Sequence, residues 1–145
     1  MVSIVGCVAL NGCAIFSPVQ TDEQYIQADG VPLTTTNIEF ENLVIVAPAR
    51  DAGGVLVGQA VNQTRQPIQV TFAVAGAAPT TITIAPAAAD AITAIPSNVD
   101  LGPIPEPPGA MVQLSVSTAA SGTSLVLVPV LPPGPQGSEY EDITP

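Results

Sequence analysis

The segment "PIQVTFAVAG" at residues 67–76 decides the fold class of this chain. Its larger apolar side chains alternate without a break, at Ile68, Val70, Phe72 and Val74. Successive side chains of a β-strand point to opposite faces, so a period of two places these four residues on one side. A helix would need a period of 3.6 residues instead. The segment therefore predicts a half-buried strand with Phe72 in the hydrophobic core.

The segments on either side of this strand repeat its pattern. Alternating or continuous apolar runs occur in "IEFENLVIVAP", "AGGVLVGQAVN", "TTITIAP", "DAITAIP", "AMVQLSVST" and "TSLVLVPVL". In the second of these, Val55, Val57 and Val61 are expected to face the core. Turns that contain Gly or Pro separate the runs. About seven short strands at this spacing predict an all-β fold, an antiparallel immunoglobulin-like β-sandwich over residues 37–131.

The composition limits the possible partners. The 145 residues are 47% hydrophobic but only 3% aromatic, so aliphatic side chains must build the core of a single domain with tails. The net charge is −10, and Arg50 and Arg65 are the only cations. Such a surface repels phosphate backbones, so we expect no nucleic-acid partner. It also gives no attraction to anionic lipid, so membrane association must be hydrophobic or covalent.

Both cysteines lie in "CVALNGCAIFSP" at residues 7–18. A zinc site needs about four Cys or His ligands, and the chain has two Cys and no His. The spacing is not the C-x-x-C of a redox motif. A Cys7–Cys13 disulfide would close a small loop and stays open as an alternative. The apolar run at 2–10 is too short to span a bilayer but has the length of the apolar part of a signal peptide.

The "LNGC" motif at residues 10–13 matches a bacterial lipobox. The cleaving enzyme needs a small residue at the scissile bond, here Gly12, and the Cys13 thiol is the nucleophile that takes the diacylglyceryl group. This predicts four regions. Residues 1–12 are the remnant of a lipoprotein signal peptide that begins upstream, 13–36 the lipidated cysteine and a tether, 37–131 the sandwich, and 132–145 a flexible acidic tail rich in Pro and Gly.

With these motifs, the chain resembles a group of small actinobacterial surface lipoproteins. The matching pieces are "LNGCAIFSPVQ", "QADGV", "NIEFENLVIV", "GVLVGQAVNQT" and "SLVLVPVLPPGPQGSEYEDITP". The resemblance implies a lipidated β-sandwich on the cell surface, anchored to the outer face of the membrane, with no assigned chemistry. Some secreted sandwich proteins of similar layout are copper chaperones. They use Met and His ligands, so that role does not transfer to a chain without His.

Other candidate residues have simpler explanations. The "NQT" at Asn62 is a glycosylation sequon by pattern, but a polar corner between strands explains it better. Glu39 and Glu41 flank Phe40 and fit the solvated face of a strand. The carboxylates at 139, 141 and 142 fit a solvated tail better than a calcium site. Tyr140 beside them is expected to anchor the tail or a partner.

No catalytic or cofactor site is predicted. The chain has no His base, no nucleophile with a partner and no Gly-rich phosphate loop after a strand. Two functions remain. The first is a lipid-anchored, non-catalytic binding or structural module of the cell envelope with an unknown envelope partner. The second is an extracytoplasmic carrier of a small apolar ligand or lipid, which needs a cavity of about 300 Å³ or more.

Overall fold

The computed structural model describes residues 29–86, 93–95, 99–135, 140 and 143. These residues form nine β-strands and no helix, which confirms the all-β prediction. The strands are β1 (Val31–Thr34), β2 (Ile38–Val46), β3 (Gly53–Asn62), β4 (Ile68–Val74), β5 (Thr80–Ile84), β6 (Thr93–Ala94), β7 (Val99–Pro103), β8 (Met111–Thr118) and β9 (Gly122–Leu131).

The strands form one mixed sheet that curls until it is nearly barrel-shaped. Their order is β5-β4-β8-β9-β2-β3-β6, with β1 paired to β2 and β7 paired to β3. A hydrogen bond links β5, the first strand of this order, to β7, which pairs with β3 near the other end: the Thr80 hydroxyl donates to the Asp100 carbonyl at 2.6 Å. We call β4, β5, β8 and β9 the uncharged half of the curled sheet, and β1, β2, β3, β6 and β7 the charged half.

The antiparallel immunoglobulin-like prediction needs correction. Strands β2 and β9 pair in parallel, through Ile45 with Val130 and Val46 with Leu131, and this pairing joins the two halves into one sheet. The two strands missing from the prediction are β1 and β7. Strand β7 precedes a Pro-rich stretch, and β1 lies inside the segment predicted as a tether. The described domain therefore starts before residue 37.

Strand β1 is ordered because β2 has a free edge. Strand β3 occupies one edge of β2 from Ile38 to Val46, and β9 reaches only the last two residues of the other. Strand β1 pairs with that second edge between Glu39 and Leu43. It therefore satisfies backbone groups of β2 that β9 leaves unpaired.

Two phenylalanines meet at the centre of the core. Phe40 on β2 and Phe72 on β4 are fully buried, with ring centroids 5.9 Å apart at 76°, an edge-to-face contact. Val70 and Val74 are buried on the same face of β4, which confirms the alternation predicted for this strand. The rings therefore fill the space between the two halves of the sheet.

A β-bulge divides β2 into two parts whose core-facing residues follow opposite phases of the alternation. The register with β3 shifts between Glu41 and Val44, and Asn42 lies in the left-handed region at φ 54°. Before the bulge, Ile38 and Phe40 face the main core, and after it Leu43 and Ile45 do. The extra residue turns Val44 and Val46 to the outer surface.

A second cluster covers that outer surface. Tyr140 packs on Val44 and Val46, and Val57, Leu131 and Ile143 pack against them. The Tyr140 hydroxyl lies 3.4 Å from an Asp29 carboxylate oxygen. The sequence predicts a mobile tail, but at Tyr140 and Ile143 the tail is docked, and Tyr140 anchors it.

Strand β3 has the opposite phase from the one predicted. Leu56 and Ala60 face the main core, while Val55, Val57 and Val61 lie on the other face. Small residues occupy the inner side of β3 because another segment of the same chain approaches it closely there. A Cβ at Gly54, for example, would collide with the Ile104 side chain. Valines suit the outer face because the docked tail covers part of it.

The first described residues are also held in place. The Gly30 amide donates to the Asn42 side-chain oxygen at 2.8 Å. A Cβ at Gly30 would lie 2.6 Å from the Leu43 carbonyl oxygen, so only glycine allows this approach. The Asp-Gly pair therefore joins the bulge of β2 to the docked tail.

Candidate functional site

A cleft of about 310 Å³ opens at one end of the curled sheet. Three segments line it: the start of β2, the start of β4 and the hairpin between β8 and β9. The lining residues are Asn37, Ile38, Pro67, Ile68, Gln69, Thr118, Ala119 and Ala120. This volume lies at the lower end of the range for small-molecule sites.

The cleft lies where the two halves of the sheet separate. Strands β2 and β9 pair only at the end of β2 that contains Ile45 and Val46. At the opposite end of β2, Ile38 pairs with β3 alone, while Thr118 pairs with Val70 of β4 and Gly122 of β9. The two halves therefore diverge towards this end, and the cleft occupies the space between them.

The surface of the cleft is uncharged and mainly apolar. Ile38 forms the floor and belongs to the main core, while Ile68 is half-buried and packs against the same core. Pro67, Ala119 and Ala120 are exposed at the rim. An apolar floor favours an apolar ligand, because covering it removes hydrocarbon from water.

Two amide side chains supply the free polar groups. Among the described residues, the side chains of Asn37 and Gln69 have no hydrogen-bond partner. The Asn37 carbonyl is already used by the Gln63 amide at 2.9 Å, and the Thr118 hydroxyl accepts from the Ser121 amide at 3.0 Å. The half-buried Asn37 carboxamide can therefore both donate to and accept from a ligand in the cleft, whereas Gln69 lies at the rim, on the outer side of β4.

Asn62 holds the turn that forms one wall of the cleft. Its side chain is 1% exposed, and its amide nitrogen donates to the carbonyls of Gln66 at 2.8 Å and Ile84 at 3.2 Å. Its oxygen accepts from the Thr64 amide at 2.9 Å and from the Thr64 hydroxyl at 2.8 Å. These bonds set the path of the chain into Pro67 and Ile68.

The structure gives definite places to several residues that the sequence singled out. Asn62 is buried and engaged, so it is the structural corner that we expected and not an accessible sequon. Glu41 is exposed and Glu39 half-exposed, with the Gln63 amide nitrogen 3.1 Å from a Glu39 carboxylate oxygen. Both carboxylates therefore lie on a solvated strand face, as predicted.

The predicted lipidation site lies outside the described residues. This applies to Gly12, Cys13 and Cys7, and also to the tail carboxylates at 139, 141 and 142. In the part of the chain that the structure describes, no helix is long and apolar enough to cross a bilayer. The structure therefore leaves the lipid anchor as a prediction from the "LNGC" motif.

No metal site is formed by the described side chains. Over those residues, no three His, Cys, Asp or Glu side chains come close enough to hold an ion. Arg50 and Glu106 form a loose ion pair at 3.8 Å with both side chains largely exposed. The charged groups therefore do not assemble into a centre.

The comparisons with known proteins show the fold. No family model matches the chain, and a search of curated proteins found no match. Among solved structures, the chain is similar to the "Copper-bound PCuAC domain from PmoF2", with a TM-score of 0.52 and 17% sequence identity. The similarity covers 71% of this chain and 99% of that one. At this identity the likeness supports an all-β fold of that kind.

The cleft residues were missed by the sequence analysis. They come from three segments separated by about 30 and 50 positions, and each segment is an ordinary strand end or turn. The only local sign of the cleft is at Ala119 and Ala120, whose small apolar side chains interrupt a hairpin that is rich in Ser and Thr. Nothing in the sequence shows that the two halves diverge at this end.

Proposed function

We propose that this protein is a lipid-anchored, non-catalytic binding module of the cell envelope that takes a small, uncharged and mainly apolar ligand in the cleft. Cys13 carries the lipid and places the domain outside the cell membrane. The cleft between β2, β4 and the β8–β9 hairpin is the observation that supports binding. A purely structural module would not need an opening at this end of the sheet.

The chemistry of the cleft supports the ligand class. No charged side chain lines it, so an ionic ligand would lose water without gaining a partner. The carboxamide of Asn37 suits a ligand with one or two carbonyl or hydroxyl groups. The packed Phe40–Phe72 contact argues against a ligand held deep between the halves, so the ligand enters from the end.

Copper binding is not part of the proposal, although the similar domain is described as copper-bound. Copper sites in proteins use imidazole, thiolate or thioether donors. This chain has no His, its two thiols, Cys7 and Cys13, lie in the predicted signal peptide and lipobox, and apart from Met1 its only thioether is Met111. Met111 is 48% exposed on the outer face of β8, directly opposite Pro129, and among the described residues there is no other Met, Cys or His to act as a second donor. The residues present do not fit a copper site.

The carrier hypothesis is the second candidate, and the same cleft favours it. A module that only senses or displays a ligand and a carrier that hands it on need the same site. They differ in how readily the ligand leaves the site, because a carrier must release its ligand to a membrane or partner. The cleft is open at the rim, where Pro67, Ala119 and Ala120 are exposed, and this supports rapid exchange.

Binding of an uncharged apolar probe tests the proposal. We expect N-phenyl-1-naphthylamine to bind the full chain with an increase in fluorescence. Ala119→Trp should weaken this binding at least tenfold, because the indole fills the cleft. Ala78→Trp is the matched control, since Ala78 is exposed in the turn at the far end of β4. Equal binding by both variants and the wild type would refute the cleft as the site.

A further inference from the structure

The charges of this protein are segregated between the two halves of the curled sheet. Strands β4, β5, β8 and β9 contain no Asp, Glu, Lys or Arg. The charged residues in the described ranges all lie elsewhere: Asp29, Glu39, Glu41, Arg50, Asp51, Arg65, Asp100 and Glu106. In a chain with a net charge of −10, four adjacent strands without charge form an unusual surface.

The outer side of these four strands, which we call the uncharged face, has an apolar part and a hydroxyl part. The apolar part contains Leu125 (61% exposed), Leu127 (56%) and Met111 (48%), which are the exposed large hydrophobic side chains of the described residues. Leu125 and Leu127 lie on the same side of β9, and Met111 is on the adjacent strand β8, opposite Pro129. The three side chains therefore form one patch.

The hydroxyl part forms a row across all four strands. Thr81, Thr71, Ser117 and Thr123 are consecutive cross-strand partners from β5 to β9. The hydroxyls of Thr71 and Thr81 lie 2.8 Å apart, and so do those of Ser117 and Thr123. Because these groups hydrogen-bond to each other, covering them leaves few polar groups unsatisfied.

We propose that the uncharged face is a self-association surface and that its occupant is a second copy of this chain. Two copies with a charge of −10 each repel one another through any acidic surface. On the uncharged face, two copies can approach each other without bringing like charges together in the contact. A two-fold arrangement would bring Leu125 and Leu127 of one copy against the same patch of the other.

The size of the face sets the strength of this dimer. Four strands spaced about 4.8 Å apart and about 25 Å long give a face of roughly 400–500 Å². Two such faces bury roughly 900 Å² in total, below the ~1,200 Å² at which stable interfaces begin. The dimer is therefore weak in dilute solution and forms where the protein is concentrated, as on a membrane surface.

Sedimentation equilibrium of the full chain tests the proposal. Gln113 lies in the uncharged face, directly opposite Leu127, whereas Gln66 is exposed in the turn before β4. Gln113→Glu and Gln66→Glu add the same charge with the same change in shape. We expect Gln113→Glu to raise the dimer dissociation constant at least tenfold and Gln66→Glu to leave it within twofold of the wild type. Added salt should strengthen the wild-type dimer, because it screens the net repulsion.

A second variant tests the apolar part of the uncharged face without adding a charge. Leu125→Ser combined with Leu127→Ser should also weaken the dimer at least tenfold, with a circular dichroism spectrum like that of the wild type. A monomeric wild-type chain up to millimolar concentration, or association that survives both face variants, would overturn the proposal. Binding of neutral phosphatidylcholine vesicles that the face variants abolish, without any dimer, would identify a lipid surface as the occupant instead and also overturn it.

Discussion

Replacing Asn62 by alanine should destabilise the domain more than its small size suggests. Asn62 is the one polar side chain that is buried among the described residues, and its amide nitrogen is bound to the Ile84 carbonyl in the interior. Without this donor, the buried Ile84 carbonyl loses a hydrogen-bond partner, at a cost of about 1–3 kcal/mol. The bonds to Gln66 and Thr64 are only partly buried, so water replaces them and their loss adds about 1 kcal/mol. We expect a loss of about 3 kcal/mol, or roughly 10 °C in Tm.

Two variants distinguish the loss of the Asn62 hydrogen bonds from a general effect of altering the turn. Gln63→Ala removes a neighbouring amide whose one bond, to Glu39, is exposed, and it should change the free energy of unfolding by less than about 0.5 kcal/mol. Asn62→Asp should be less stable than Asn62→Ala at neutral pH, since it buries a carboxylate against two carbonyls. It should regain stability on acidification, because the protonated acid can donate again. Urea denaturation followed by circular dichroism measures all three. A loss below about 1 kcal/mol for Asn62→Ala would refute the reasoning.

Three further predictions concern the core, the metal and the anchor. Phe72→Ala should cost about 3–5 kcal/mol, since the ring is fully buried against Phe40, and a change below about 1 kcal/mol in urea denaturation would contradict this. With its cysteines blocked by alkylation, the chain should show no change in Tm with equimolar copper or zinc, and a reproducible stabilisation of several degrees would reveal a site. In a lipoprotein-processing host, mass spectrometry should find the mature chain starting at a lipidated Cys13, Cys7→Ala should be processed normally, and an unmodified Cys13 or a Cys7–Cys13 disulfide would exclude the anchor.

Strand β4 shows what the sequence alone can predict. Its alternation of Ile68, Val70, Phe72 and Val74 is unbroken because both of its neighbours in the sheet pair antiparallel in a continuous register. The strand has one buried and one solvated face along its whole length. In such a case the hydrophobic pattern matches the pattern of buried residues, so both the strand and its core-facing side could be predicted.

Strands β2 and β3 show where that reasoning fails. A bulge at Asn42 reverses the phase of β2, and the continuous apolar run from Leu43 to Val46 that follows it does not show which residues face inward. In β3 the conspicuous valines lie outside the main core, since Tyr140 and Ile143 cover part of that face from far along the chain. A local hydrophobic pattern indicates which residues are buried, but not which part of the chain covers them.

The topology and the cleft depend on contacts that are remote in sequence. The parallel contact of β2 with β9 joins residues 45 and 130, and no local signal distinguishes parallel from antiparallel partners for two such apolar strands. The same contact fixes where the halves diverge and therefore where the cleft opens. The lipobox is the opposite case, because the predicted chemistry rests on a short local stretch: the motif, the apolar run before it and the polar segment after it.

The most direct test of the proposed function is an amide-resolved NMR titration of the full chain with N-phenyl-1-naphthylamine. If the cleft is the binding site, saturable shifts should appear at residues 37–38, 68–69 and 118–120, and Ala119→Trp should abolish them while Ala78→Trp preserves them. No saturable shift, or shifts centred on Leu125 and Leu127 of the uncharged face, would contradict the assignment of a binding cleft at this end of the sheet.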